Sequence, residues 1–203
     1  MRRSVFSGQF INAVAALTFA CALSFSALAD THNNAKASVS IDNFGQVNDH
    51  LYRGAQPKDA QYEELAALGV KTVVDLRGDA KKDSRASAER AGLRYINLPL
   101  DDKSYPQADA AARFLEIVND PANGVVYVHC AGGRHRTGAL VAVYRMDVDH
   151  WKIDQVYDEM KQYDFYTSGG HGCYKDYVYD HYHALQASLN TTAGAGATVN
   201  ALR

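Results

Sequence analysis

The feature that most constrains the fold is a strand that passes through a glycine-rich loop into a helix. Residues 125–128 (VVYV) are all β-branched or aromatic, which is typical of a buried strand. The next ten residues, 129–138 (HCAGGRHRTG), are small or polar, and the pattern is then helical to about residue 148. Such a junction predicts an α/β fold, with a loop of accessible backbone amides at the carboxyl end of the strand.

The same alternation of strand and helix extends along the chain. Helices are predicted over residues 58–68, 84–91, about 109–118, 153–163 and 175–189, and strands over residues 51–54, 71–76 and 94–98, the last closed by Pro99. Because the connections between these elements are short, we expect a central, mostly parallel sheet flanked by helices.

The first 29 residues have the composition of a signal peptide. Arg2 and Arg3 precede a run without charged residues over 11–27, and residues 27–29 (ALA) supply the small side chains that signal peptidase requires. A retained membrane anchor is the alternative, but this run is short for a membrane span. We therefore expect cleavage before Asp30, a periplasmic or secreted protein, and no stable membrane anchor after cleavage.

The rest of the chain has the length of one domain. Residues 30–46 are polar and lack periodicity, which predicts a linker; residues 47–189 carry the predicted elements; residues 190–203, rich in alanine, glycine and threonine, predict a flexible tail. A domain of this size buries enough apolar surface to fold without disulfides. Cys130 and Cys173 stay in the mature chain, and two cysteines are too few for a disulfide framework.

The charge balance argues against nucleic-acid binding. The formal net charge is −2, and removal of Arg2 and Arg3 with the signal peptide leaves −4, without any run of basic residues. Any affinity for an anion is therefore expected to be confined to one local site.

Four potential metal ligands lie close together near the C-terminus: His171, Cys173, His181 and His183. The last two would lie on different faces of one helix, so four ligands are not expected to converge. We expect no metal and no cofactor.

The loop over residues 129–138 has the chemistry of an anion site. Small residues allow successive N–H groups to point inward, and the following helix adds the positive end of its dipole. Such an environment favours the thiolate of Cys130, which is then a nucleophile at neutral pH. The planar guanidinium of Arg136 matches two oxygens of a phosphoryl group, and Thr137 can donate a hydrogen bond to the sulfur. The residues expected to bind the phosphate are Ala131, Gly132, Gly133, Arg134, His135 and Arg136, with His129 and Thr137 in support.

His129-Cys130, five residues, then Arg136-Thr137 resembles the signature of the protein tyrosine phosphatase superfamily. Residues 52–57 (YRGAQP) and 73–77 (VVDLR) are similar to early landmarks of the bacterial dual-specificity-type enzymes, so the resemblance spans about residues 47–189. It implies a dual-specificity phosphatase-like fold and a cofactor-independent hydrolase of phosphoric monoesters that forms a phosphocysteine intermediate. The expected partner is a phosphorylated protein or a small phosphate monoester.

The resemblance also implies a carboxylate that protonates the leaving group and later activates water. In related enzymes it lies on a loop after the strand that precedes the signature, which here is residues 99–102 (PLDD). Matching Pro99 to the proline of that loop selects Asp102 as the catalytic acid and leaves Asp101 as the alternative.

Several alternatives stay open at the level of sequence. An inositol-phosphate phosphatase, phytase-like or acting on phosphoinositides, would suit a pocket rim made cationic by Arg134 and His135, although the loop lacks the two lysines that phosphoinositide phosphatases of this superfamily tend to carry. A non-catalytic phosphate-binding module or a rhodanese-like sulfurtransferase are the rivals from other classes. Cys173 is either inert or pairs reversibly with Cys130. The sequence does not indicate an oligomeric state.

Overall fold

The structure, a computed structural model, describes residues 39–80 and 82–200. These residues belong to one compact unit, Ala35–Arg203. The predicted signal peptide over residues 1–29, most of the predicted linker and the last three residues of the predicted tail lie outside the described residues.

A five-stranded sheet forms the centre of the described chain. Its strands are β1 (Gly45–Asn48), β2 (Leu51–Gly54), β3 (Thr72–Arg77), β4 (Arg94–Leu100) and β5 (Val126–His129). The strand order is β1-β2-β5-β3-β4, and all neighbours are parallel except β1 and β2. The mostly parallel sheet predicted from the sequence is therefore confirmed, and β5 lies at its centre.

The helices within residues 39–80 and 82–200 are α1 (Asp59–Ala67), α2 (Lys82–Arg90), α3 (Ala110–Asn119), α4 (His135–Asp147), α5 (Ile153–Gln162) and α6 (Gly172–Asn200). Short 3₁₀ turns cover Pro121–Asn123 and Ser168–Gly170. Among these helices, none combines the length and the apolar composition needed to cross a bilayer.

Every residue of β3 and β5 is buried. Burial on both faces explains the apolar residues at the start of each strand, whereas the polar residues Asp75, Arg77 and His129 lie toward the carboxyl ends. One face of the sheet packs against α3, α4 and α6, and the other against α1 and α2. Helix α4 is buried on all sides from His135 to Met146, so the loop that precedes it is held between the central strand and a central helix.

Two segments predicted to be irregular belong to the regular structure. In the predicted linker, Ile41 is buried, and β1 begins at Gly45 because this polar segment pairs with the edge of β2. Ser40 Oγ also donates a hydrogen bond to Glu64 Oε1 at 2.9 Å. In the predicted tail, α6 continues to Asn200. The alanines of this segment favour a helix, and each glycine opposes it by only about 1 kcal/mol.

Pro99 does not close β4, which runs on to Leu100. Among the strands of the described residues, β4 lies at the edge of the sheet and pairs only with β3, with a register shift between Asp75 and Arg77. An edge strand tolerates proline because the missing N–H can face away from the ladder.

Arg145 joins α4 to α5 and to the turn between them. Its guanidinium lies 2.6 Å from Glu159 Oε1 and 2.7 Å from Asp149 Oδ2, and 4.2 Å above the ring of Trp151. Burial would lower the pKa of Arg145, but the hydrogen bonds with Glu159 and Asp149 outweigh it and raise the pKa. The network holds α5 in place behind the loop that follows β5.

We expect Arg145→Met to lower the free energy of unfolding by about 2–3 kcal/mol, because two mostly buried carboxylates lose their cation. Urea denaturation measures the change. The matched control is Arg113→Met, which removes an exposed pair with Asp109 at 3.7 Å and should cost less than about 0.5 kcal/mol. Equal effects of the two substitutions would contradict this account.

Candidate active site

The loop between β5 and α4 turns sharply over residues 131–134 and packs on the backbone that follows β2. Gly133 has a φ of +68°, which favours glycine. A Cβ atom at this position would lie 2.4 Å from the carbonyl carbon of Gly54 and 2.7 Å from the nitrogen of Ala55. Any larger residue would therefore push the loop off β2.

The carbonyl groups of the loop point away from its centre. Four successive carbonyl oxygens accept hydrogen bonds: Ala131 from the Gln56 amide at 3.0 Å, Gly132 from Asn43 Nδ2 at 2.9 Å, Gly133 from Arg53 Nη2 at 3.1 Å and Arg134 from the Gly138 amide at 3.1 Å. In a trans peptide the carbonyl and the next N–H point in opposite directions. The N–H groups of residues 132–135 are therefore turned toward the pocket, as an anion site requires.

Cys130 lies at the floor of an open pocket of about 190 Å³. The pocket is lined by Asp102, Cys130, Ala131, Gly132, Arg134, His135, Arg136, Tyr166 and His171. Of the residues predicted to bind phosphate, all except Gly133 line it, and Gly133 instead shapes the turn. The fold thus brings the predicted nucleophile, guanidinium and acid to one cavity.

The two candidate acids are in different positions. Asp102 lines the pocket of Cys130, and its Oδ1 lies 3.6 Å from Arg136 Nη2. Asp101 has its backbone carbonyl bound by the Tyr174 hydroxyl at 2.8 Å and lines a neighbouring hollow instead. The geometry therefore favours Asp102, the residue selected by the match to Pro99.

Arg136 is in the first turn of α4 and is almost entirely buried, whereas the Asp102 side chain is half exposed. Besides the ion pair with Asp102, Arg136 Nη1 donates a long hydrogen bond, 3.4 Å, to the Leu100 carbonyl. Both contacts are long and therefore weak, so an incoming phosphoryl group can replace them with a pair of charge-assisted hydrogen bonds to Arg136.

His129 supports the start of the loop from below. It is fully buried, its ring stacks on Tyr127, and its Nδ1 lies 3.1 Å from the Cys130 carbonyl. Burial lowers the pKa of His129, although Asp75 opposes the shift. The neutral ring therefore donates its Nδ1–H to that carbonyl, which fixes the peptide that follows the nucleophile.

A buried network reinforces the same region. Arg77 binds Asp75 at 2.6 Å and the side-chain oxygen of Gln56 at 2.5 Å. Burial alone would raise the pKa of Asp75, but the hydrogen bonds from Arg77 and Tyr95 hold it below its ordinary value. The network fixes Gln56, whose backbone amide holds the Ala131 carbonyl.

Arg53 is a second buried cation close to the loop. It is completely inaccessible to solvent and stacks on the ring of Tyr163 at 3.8 Å. Burial lowers the pKa of Arg53 to about 10, against the opposing effect of Glu159, so the guanidinium is charged at neutral pH. The roles of Arg53 and Asn43 were not predicted from the sequence, although Arg53 lies within the YRGAQP segment that is similar to the bacterial dual-specificity-type enzymes.

The rim of the pocket is less cationic than the sequence predicts. Arg134 is paired with Asp164 at 3.6 Å. Burial, and next the neighbouring His171, lower the pKa of His135 to about 4, so His135 is neutral at pH 7. Its ring stacks on that of His171 with the centroids 3.7 Å apart.

The remaining candidate residues are placed as follows. The Thr137 hydroxyl is buried and has no hydrogen-bond partner within the described part of the chain. Cys173 and Cys130 are both free thiols, and burial raises the pKa of Cys173. Among the described residues, no three His, Cys, Asp or Glu side chains are arranged to hold a metal ion.

The chain is similar in sequence to two phosphatases. The chain is 28% identical over 126 residues to a probable tyrosine-protein phosphatase, DG1060, of Dictyostelium discoideum, covering 60% of this chain and 75% of that protein. It is 31% identical over 120 residues to the dual specificity protein phosphatase TpbA of Pseudomonas aeruginosa, covering 59% of this chain and 54% of TpbA. The chain thus spans only about half the length of TpbA.

Solved structures show the same fold. TpbA in complex with pTyr superposes with a TM-score of 0.59 at 29% identity, over 70% of this chain and 85% of that chain. The core catalytic domain of the PP-IP phosphatase SIW14 from Saccharomyces cerevisiae gives a TM-score of 0.60 at 23% identity, over 75% of this chain and 96% of that chain.

The family model described as DSP-PTPase phosphatase fused to NAD+ kinase matches residues 22–178, which include all five strands and the loop of Cys130. The chain therefore belongs to this family of dual-specificity-type protein tyrosine phosphatases.

Proposed function

We propose that the protein is a cysteine-dependent phosphomonoesterase that acts on phosphotyrosine, phosphoserine or phosphothreonine in proteins, or on a related monoester. One observation carries the proposal: the loop after β5 turns its amides around Cys130 in the pocket that also holds Arg136 and Asp102. The names of the relatives, DG1060 and TpbA, support the same reaction.

The reaction has two steps. The Cys130 thiolate attacks phosphorus, the bond to the leaving oxygen breaks, and Asp102 gives that oxygen a proton. Arg136 and the loop amides hold the phosphoryl oxygens throughout. Water then attacks the phosphocysteine, its proton passes to Asp102, and the thiolate leaves.

An inositol-phosphate phosphatase is the second candidate, because SIW14 is named as a PP-IP phosphatase. The surroundings of the pocket favour a protein substrate instead. The adjoining hollow is lined by three carboxylates, Asp79, Asp101 and Asp102, and by Arg136. Because Arg134 is already paired and His135 is neutral, a substrate with several phosphates would meet more repulsion than attraction here.

We expect Cys130→Ser to lower turnover of phosphate monoesters by more than about 10³-fold, because serine lacks an ionised nucleophile at neutral pH. Binding of inorganic phosphate should persist, since the amides and Arg136 are unchanged. Turnover is measured with p-nitrophenyl phosphate and binding by calorimetry. Wild-type turnover by this variant would exclude the proposed mechanism.

The same assay, with a phosphotyrosine peptide, a phosphoserine peptide and an inositol polyphosphate, separates the two candidates. The main proposal predicts higher kcat/KM for a phosphopeptide than for the polyphosphate. Faster release of phosphate from the polyphosphate would favour the second candidate.

The general acid is tested with a matched pair of variants. Asp102→Asn should lower kcat for a phosphotyrosine peptide by about 10²-fold, because the leaving oxygen receives no proton. Asp101→Asn should change it by less than about threefold, since that side chain lies in the neighbouring hollow. The reverse order would assign the role to Asp101.

We also propose that residues 1–29 direct export and are removed, so that the enzyme acts in the periplasm or outside the cell. The uncharged run and the ALA exit of the sequence support this. Mass spectrometry of the protein recovered from the periplasm or medium should give an N-terminus at Asp30. A chain found only in the cytoplasm with Met1 retained would contradict export.

A further inference from the structure

His171 lines the catalytic pocket but has no role in the reaction described above. It follows the turn Ser168–Gly170 and precedes α6, and it is 8% exposed. Gly169 in that turn has a φ of +66° and Gly170 a φ of +92°, so the chain reverses tightly before it reaches the histidine.

The ring of His171 is held in one orientation. Its Nδ1 lies 2.9 Å from the Ser168 carbonyl, which can only accept, so Nδ1 carries a proton. One face of the ring stacks on His135 with an interplanar angle of 14°, and the edge of Tyr166 packs against it with centroids 5.2 Å apart. In the neutral ring, Nε2 is therefore a hydrogen-bond acceptor.

That acceptor faces the proposed acid. His171 Nε2 lies 4.0 Å from Asp102 Oδ1, the same oxygen that lies 3.6 Å from Arg136 Nη2. Both distances are too long for a hydrogen bond, and the half-exposed carboxyl of Asp102 can move toward either neighbour. Arg136 can donate only to the carboxylate oxygens, whereas the lone pair on Nε2 of neutral His171 can accept a hydrogen bond only from the protonated form of the carboxyl group.

We propose that His171 is a positioning residue that shares one proton with Asp102 and so keeps the general acid loaded for attack on phosphorus. This rests on the proposed phosphatase function. When a phosphoryl group binds, the Arg136 guanidinium binds the phosphoryl oxygens and gives up its ion pair with Asp102. The Asp102 carboxyl can then interact with His171. The proton then lies between Asp102 Oδ1 and His171 Nε2, next to the leaving oxygen.

The proton balance of the reaction is consistent with this arrangement. In the first step the S–P bond forms, the P–O bond breaks, and the proton moves from Asp102 to the leaving oxygen. In the second step the oxygen of water bonds to phosphorus, the S–P bond breaks, and the proton of water returns to Asp102. The pair of Asp102 and His171 therefore begins and ends each turnover with one proton, and no other reactant is needed.

The other groups around His171 do not replace it. The titratable groups next to the His171 ring are Asp102 from the loop after β4, His135 from α4, Tyr166 from the segment before the turn, and Tyr174 from α6. The charged groups that line the same pocket are Arg134 and Arg136. His135 is neutral above about pH 4, because burial and His171 depress its pKa. A proton shared with His171 is therefore not repelled by a positive charge on the stacked His135 ring.

The test uses His171→Gln, which is similar in size and polarity but cannot exchange a proton near neutral pH. We expect kcat/KM for a phosphotyrosine peptide to fall about tenfold, because the poor leaving group needs the acid. Turnover of 2,4-dinitrophenyl phosphate, whose leaving group departs without a proton, should change less than about twofold. That second substrate also shows that the variant is folded and that Cys130 and Arg136 work.

Two further measurements exclude a merely structural effect. With the phosphotyrosine peptide, the alkaline limb of the pH profile should move to lower pH in His171→Gln, since the acid then loses its proton earlier. His171→Gln combined with Asp102→Asn should be no slower than Asp102→Asn alone, because both changes remove the same proton. His183→Gln, an exposed histidine on α6, is the matched control and should leave both the rates and the profile unchanged.

Three outcomes would overturn the inference: an equal loss with both substrates, an unmoved alkaline limb, or additive effects in the double variant. The proposed function would survive any of them, since it is tested by Cys130→Ser. If that variant kept wild-type turnover, the phosphatase itself would fail whatever His171 did.

Discussion

The outward direction of four successive carbonyl groups is the constraint on which the site depends. Residues 132–135 can present their N–H groups to an anion only if the carbonyls of the same peptides, which belong to residues 131–134, are bound elsewhere. The partners are Gln56, Asn43 and Arg53, which come from the segment around β2, and the Gly138 amide in α4. The anion site is therefore assembled between β2 and β5, and the close approach at Gly133 is what lets the two segments meet. The free-energy cost of orienting these amide dipoles toward one point therefore arises during folding, before any substrate binds.

Much of this could be predicted from the sequence, because the deciding signals are local. The fully buried strands β3 and β5 begin with β-branched or aromatic residues, Thr72–Val74 and Val126–Val128, and the loop residues follow one another in the chain. Cys130, Arg136 and the α/β fold could therefore be inferred directly. Asp102 needed the resemblance, since nothing in a pair of adjacent aspartates distinguishes the one that faces the pocket. That distinction is set by the hydroxyl of Tyr174, which holds the backbone of Asp101 from 73 positions away.

The features that could not be predicted from the sequence all depend on partners that are distant along the chain. Asn43 lies in a stretch predicted as a linker, and it contributes only because Gly132 is brought next to it across 89 positions. His171 was considered as a metal ligand, whereas its orientation is set by Ser168 and by the stack with His135. Pro99 was predicted to end a strand, but its place at the sheet edge removes the cost of a missing N–H. The cationic rim of the pocket was wrongly predicted for the same reason, since Arg134 is paired with Asp164 and burial makes His135 neutral.

Arg53 shows why these distant partners belong to the site and not simply to the fold. Its guanidinium is completely buried, and its Nε and Nη1 have no hydrogen-bond partner within the described residues, an arrangement that opposes stability. An apolar residue of similar volume would pack there without that cost. The charge has a physical use only because it lies behind the Gly133 carbonyl, where it draws that oxygen out of the pocket and adds a positive potential beneath the anion site. Tyr163 and Glu159 offset part of the burial cost, so the cation is held in place by groups that do not themselves reach the pocket.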